Sequence, residues 1–321
     1  MTDTKKTFTD VINVRKHEMI NGCFFSAFYD WPTLKKLNKL PIREDDILIA
    51  SYTRSGTHWT AELVDLVRHN GDTDAIKTHI HQRFHYLEIS NKTWRGETNI
   101  LEDEADGSCY DEVEKMESPR LLVTHQQTSF MPDGVLQGKC KTVLVLRNPK
   151  SIIVSNAFMF NAFGTSFTEP ITVDMMMNSQ MRDDGEKMQC GTWFQQVESW
   201  LKVKDQLKDK LLIIFYENMI KDLISVVKSV AKFLGKEFTD DELAKIVHHL
   251  QFKEMKENPA TGDVFKTAVK TCDIKDSSNS PHMRKGTIDD WKNHMTVAQS
   301  EAVDAYFKDK LESLGLKFQY E

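Results

Sequence analysis

Four short apolar runs, beginning at Ile47, Leu121, Val143 and Leu211, each give way to a stretch with apolar residues at helical spacing. Runs so short and so uniformly apolar read as strands buried on both faces. Strands separated by helices pair in parallel, because a parallel crossover needs a dozen or more residues. This order predicts an α/β chain with a central parallel sheet flanked by helices on both faces. Neither a linker nor an internal repeat divides the 321 residues, so a single domain over 1–321 is expected, with 1–20 a loose N-terminal segment.

The first run leads into the most informative loop. After Ile47–Ala50 come Arg54, Ser55, Gly56 and Thr57, and then Trp59, Leu63, Leu66 and Val67 on a helical face. A strand–loop–helix unit of this kind offers free backbone N–H groups and the positive end of a helix dipole; with Arg54 beside them, the fitting ligand is an anion such as a phosphate. The loop has one glycine and no lysine before its hydroxyl residue, which disfavours a Mg-nucleotide P-loop. Two other strand ends carry chemistry: His125 after Leu121–Val123, and Arg147, with Ser155 two turns into the next helix, after Val143–Leu146. Ligand crevices of open α/β sheets lie at these carboxyl ends. Further on, a helix is expected from Thr192 to Leu207, another ending at Gly235, and one over Thr296–Leu311.

The net charge of −6 and pI near 6.0 exclude a general affinity for nucleic acid or acidic membranes, so any anion site must be local. Five scattered cysteines without a CxxC pair indicate neither a disulfide framework nor a thiolate zinc site. A reducing, cytoplasmic location is expected, since no signal-peptide core or membrane-length apolar run is present. His79, His81 and His85 alternate but lack acidic partners, so no metal is expected. The acidic run 102–117 reads as a solvated loop or exposed helix face, and 260–283 as a mobile loop. The aromatic-rich segment after Cys23 suits either a flap over an apolar pocket or a stretch packed on the core.

Five motifs carry a family resemblance. TRSGTHW at 53–59, SPRLLVTHQQ at 118–127, RNPKSIIVS at 147–155, FKEMKENP at 252–259 and RKGTIDDWKNHMTVAQSE at 284–301 stand in family order across most of the chain, and the chain resembles the cytosolic sulfotransferases. The resemblance implies a P-loop-like sulfotransferase fold that uses 3'-phosphoadenylyl sulfate (PAPS) as donor, leaves adenosine 3',5'-bisphosphate (PAP), and needs no metal. It implies that Arg54, Ser55, Gly56, Thr57 and His58 hold the 5'-phosphosulfate, and that Arg147, Ser155, Arg284, Lys285 and Gly286 hold the 3'-phosphate. Trp59 and Phe252 would then stack on adenine, Tyr216 would help fix the base, and His125 would be the general base for a small hydrophobic hydroxyl acceptor. Phe24, Phe84, Phe158 and the methionines near 175 are the candidate pocket lining. Lys292, Thr296, Val297 and Glu301 match a short homodimer motif. Two family lysines are replaced, by Arg54 and Val123, which motivates the alternative of a catalytically weak or inactive nucleotide-binding scaffold.

Overall fold

A computed structural model of the chain describes residues 5–13, 16–94, 97, 105, 107–162, 167–184, 188–262 and 283–321. Seven strands are present among them: β1 (His17–Ile20), β2 (Cys23–Ser26), β3 (Ile47–Ser51), β4 (His85–Tyr86), β5 (Leu121–Thr124), β6 (Lys141–Leu146) and β7 (Leu211–Phe215). β3 to β7 form a parallel sheet in the order β4-β5-β3-β6-β7, as the four apolar runs require. β3 is central and fully buried, with Ile49 level with Val123 on one side and Val143 on the other. Loops leaving β5, β3 and β6 therefore emerge side by side at one edge of the sheet. That edge positions the site.

One group of helices, Thr57–Arg68, Leu223–Leu234 and Asp240–His249, packs together. Another groups Pro149–Ala162 with Val173–Gln180 and Val297–Ser313. Gly235 caps its helix in the left-handed conformation, as its place in the sequence predicts. The helix expected over 192–207 breaks at Val203 into Trp193–Lys202 and Lys204–Leu207.

The N-terminal stretch departs from expectation. Phe8 is 0% exposed, its ring 4.5 Å from Phe160 and 5.4 Å from Phe167, and Thr7 with Asp10 caps the short turn Phe8–Asp10. Two apolar residues, Phe8 and Val11, suffice to dock a stretch whose polar majority reads as loose. β1 and β2 pair antiparallel around Asn21 and Gly22, both at positive φ. An Asn-Gly pair between strands is a strong hairpin signal, and that signal was present in the sequence. β4 was not predicted because two residues carry no periodicity.

Of the acidic run, Cys109–Lys115 is helical, and its Glu112 accepts from the His85 ring at 2.9 Å and from the Asn91 N–H at 2.8 Å; residues 102–104 and 106 lie outside the described residues. Most of the expected mobile loop, 263–282, also lies outside them. No helix among the described residues is long and apolar enough to cross a membrane.

Candidate active site

One cavity at the carboxyl edge of the sheet collects most of the residues singled out above. Arg54, Gly56, Thr57, His58, Trp59, His125, Arg147, Ser155, Tyr216, Phe252, Arg284, Lys285 and Gly286 all line it. They come from six separated segments, so the convergence is a product of the tertiary fold.

The loop after β3 is built for close approach. Gly56 sits at φ 95° as N-cap of Thr57–Arg68, and a Cβ there would meet Tyr216 Cδ2 at 2.7 Å. Gly286, at φ 69°, lies so close to Phe252 that a Cβ would fall 2.4 Å from its ring. Both glycines let backbone face the cavity where a side chain would fill it. The Ser51 and Thr57 hydroxyls pair at 2.7 Å, and Thr53 donates to Asn156 at 3.0 Å, which anchors both ends of the loop.

Arg54 is ringed by protein and reaches the cavity; its Nε donates to Ser155 Oγ at 3.0 Å, and its carbonyl accepts from Arg147 Nη1 at 2.6 Å. Burial, then the nearby Arg147 and Arg284, pulls the Arg54 guanidinium down to about 10, so it stays charged at neutral pH. Arg147 lies 4.1 Å above the Tyr216 ring, and Arg284 pairs with Asp290 and lies 4.4 Å over Phe158. Cations gathered at one cavity in a chain of net charge −6, with Asp290 offsetting Arg284, make this end of the cavity suited to an anion. The buried Ser55 Oγ and Arg147 Nε have no hydrogen-bond partner among the described residues. Such donors fit phosphate oxygens. Beside these cations, Trp59, held by its indole N–H on the Leu250 carbonyl at 2.9 Å, Tyr216 at 5.7 Å from it, and Phe252 give aromatic surface that could take the base of a nucleotide.

His125 follows β5. Its Nδ1 lies 2.9 Å from the Ser51 carbonyl, which can only accept, so Nδ1 carries the proton and Nε2 keeps its lone pair. Burial, reinforced by Arg54 and opposed by the Ser51 carbonyl, pulls the imidazole down to about 4. It is neutral at pH 7 and ready to accept a proton. Its backbone N–H donates to Glu88 Oε1 at 2.6 Å; burial pushes the Glu88 carboxyl up to about 8, a group that sequence reasoning missed because it follows the unpredicted β4. Val123 lies wholly inside β5.

Phe24, Phe84 and Phe158 do not line the cavity, and neither do Met175, Met176 and Met177. Phe24 stacks on His17, Phe84 packs among His58, His81 and Tyr86, and Phe158 supports Arg284 and His294. The methionines face the core. The apolar wall is instead Ile12, Phe28, Ile89, Met159, Phe160 and Phe167. His79 and His81 belong to a 3-10 turn, Ile80–Gln82, rather than a strand. His58 and His81 share a contact of 3.3 Å between their Nε2 atoms, and burial, helped by His79, pulls His81 down to about 3. No three His, Cys, Asp or Glu side chains among the described residues are placed to hold a metal ion.

A family model described as "Sulfotransferase domain" matches residues 44–315. Sulfotransferase 1C2 of Oryctolagus cuniculus is 32% identical over 290 residues, which are 90% of this chain and 90% of that protein. The crystal structure of mouse sulfotransferase SULT7A1 complexed with PAP is similar with a TM-score of 0.70 at 29% identity, covering 92% of this chain and 95% of that one. A retinol dehydratase structure in complex with androsterone and inactive cofactor PAP shares the fold, with a TM-score of 0.76 at 23% identity over 91% of this chain and 88% of that one.

Proposed function

The chain belongs to the sulfotransferase family, and from that premise we propose that it moves a sulfuryl group from PAPS to the hydroxyl of a small hydrophobic acceptor, with His125 as general base. One observation carries the reading: a single cavity joins the cationic cradle to an imidazole whose Nδ1 is tied down and whose Nε2 is the available base.

The donor lies with its 5'-phosphosulfate on Arg54, Ser55, Gly56, Thr57 and His58. Its 3'-phosphate lies on Arg147, Ser155, Arg284, Lys285 and Gly286, and its adenine among Trp59, Phe252 and Tyr216. The acceptor oxygen attacks sulfur in line as its proton passes to His125 Nε2; the new O–S bond forms while the bond from sulfur to the bridging 5'-phosphate oxygen breaks. Charge develops on that leaving oxygen, where Arg54 and the loop amides stabilise it. At about 10 the Arg54 guanidinium is still protonated at neutral pH, and it acts as a fixed charge at the leaving oxygen. The acceptor lies against Phe28, Met159, Phe160 and Phe167. The protein works in the cytoplasm as a homodimer through Lys292, Thr296, Val297 and Glu301, Val297 being a large apolar side chain 75% exposed.

Radiolabelled donor offered with phenols and hydroxysteroids tests the reading. Label should pass to at least one acceptor, and His125→Ala should slow transfer about 10²- to 10⁴-fold with donor binding unchanged. Full activity in that variant overturns the mechanism. Donor binding without transfer to any acceptor overturns the catalytic reading in favour of a nucleotide-binding scaffold.

A further inference from the structure

The acceptor end of the cavity is apolar except at a few points, and one of these is a buried polar pair outside the transfer chemistry. Ser26, the last residue of β2, and Gln189 both line the cavity and are only 2% and 8% exposed. Gln189 Nε2 donates to Ser26 Oγ at 3.2 Å. That bond uses one of the amide's donors. It leaves the amide carbonyl, the second amide N–H and the Ser26 hydroxyl proton without a protein partner among the described residues. Whichever way the amide is turned, a donor and an acceptor remain over.

The pair is held in place and tied to the catalytic loop. Gln189 bridges the backbone of Phe24. The next residue, Cys190, accepts at its Sγ from Gln126 Nε2 at 3.0 Å and at its carbonyl from Gln127 Nε2 at 3.3 Å. Gln126 and Gln127 directly follow His125. A preorganised polar pair set in an apolar wall selects ligands, because a ligand that buries it without satisfying it leaves polar groups unpaired.

We propose that Ser26 and Gln189 form a subsite for a second hydrogen-bonding group of the acceptor, a carbonyl or hydroxyl distinct from the hydroxyl that receives the sulfuryl group. The preferred acceptors are then apolar alcohols bearing such a group, ahead of simple phenols and monohydroxy sterols. The proposal rests on the sulfotransferase reading above.

Isothermal titration calorimetry on the PAP-loaded protein, with matched acceptor pairs, provides the test. The pairs are 3-hydroxysteroids with and without a 17-ketone, and 4-alkylphenols with and without a hydroxyl at the end of the alkyl chain, where it is electronically insulated from the reacting oxygen. In at least one pair the polar member should bind about tenfold tighter or more. That preference should shrink to about twofold or less in both Gln189→Leu and Ser26→Ala, the apolar members binding as tightly as before. A wild-type protein with no preference in any pair, or a preference that survives both substitutions, overturns the subsite. Transfer assays on the same pairs separate the two failures: sulfation without preference refutes the subsite alone, whereas selective binding without sulfation refutes the catalytic reading and leaves the subsite standing.

Discussion

Gly56→Ala puts the geometry of the loop after β3 to a quantitative test. At φ 95° the backbone is left-handed, which costs an alanine about 1–2 kcal/mol. Its Cβ would also stand 2.7 Å from Tyr216 Cδ2, so a packed ring must move, at about 1–3 kcal/mol. The sum is on the order of 3 kcal/mol. Unfolding entropy of about 2.1 cal/mol/K per residue gives roughly 0.7 kcal/mol/K for this chain, so Tm should fall by about 4 °C. The displaced ring carries Arg147 at 4.1 Å and abuts Trp59 at 5.7 Å, so nucleotide affinity should fall as well. PAP at 100 times its Kd stabilises the parent by about 2.7 kcal/mol, and a tenfold loss of affinity removes about 1.4 kcal/mol, halving the ligand-induced shift in Tm. Thermal melts with and without PAP measure both effects. Pairing Gly56→Ala with Tyr216→Ala removes the clash but not the backbone strain, so the double variant should be more stable than additivity requires by about 1 kcal/mol or more. A melt within about 1 °C of the parent, an undiminished PAP shift, or strict additivity would refute the reasoning.

With His125 as the proposed base the neutral imidazole is the competent form, so with its pKa pulled down to about 4 the acid limb of kcat/KM should sit near pH 4 rather than near 6.5. Glu88 holds its proton in the folded state up to about 8 while the unfolded chain releases it near 4.5, so it lowers stability progressively as pH rises through that window, an effect that Glu88→Gln should remove from the pH dependence of Tm. Arg54→Lys loses the Nε bond to Ser155 and should weaken PAP binding about tenfold by calorimetry; unchanged affinity and turnover would show that the guanidinium geometry does not matter. Phe8→Ala should cost about 3–5 kcal/mol in denaturant melts, whereas a loose N-terminus predicts no change. If the proposed homodimer forms through the exposed Val297, light scattering should give a dimer mass for the parent and a monomer for Val297→Glu, whose carboxylate would be buried unpaired in that interface.

Much of the fold was legible because a strand buried on both faces declares itself by uninterrupted apolar composition, and Ile47, Leu121 and Val143 each began such a run; the equally apolar run from Leu211 is instead the edge strand β7, only partly buried because it has a neighbour on one side alone. β4 was invisible for the opposite reason. The strand–loop–helix unit around Gly56 was legible too: a glycine and hydroxyl residues between a strand and a helix carry the same local meaning wherever they occur, since backbone N–H groups and the helix dipole are local properties. His125 could be placed at a strand end from order alone. Its tautomer could not, because the Ser51 carbonyl that fixes it belongs to a different strand, 74 residues away.

Chain order and residue type, then, determined the parallel sheet and the edge of it at which the cavity with its basic side chains lies. Which side chains wall the cavity was decided only by tertiary packing. Phe24, Phe84 and Phe158 are as apolar as Phe28, Phe160 and Phe167, and burial rewards all six alike. Whether a ring meets a neighbour or a void depends on segments far apart in the chain: Phe8 fills one side of Phe160 and Phe167, and Ile12 pairs with Phe167. Hydrophobicity measures removal from water. It does not record what the ring touches instead.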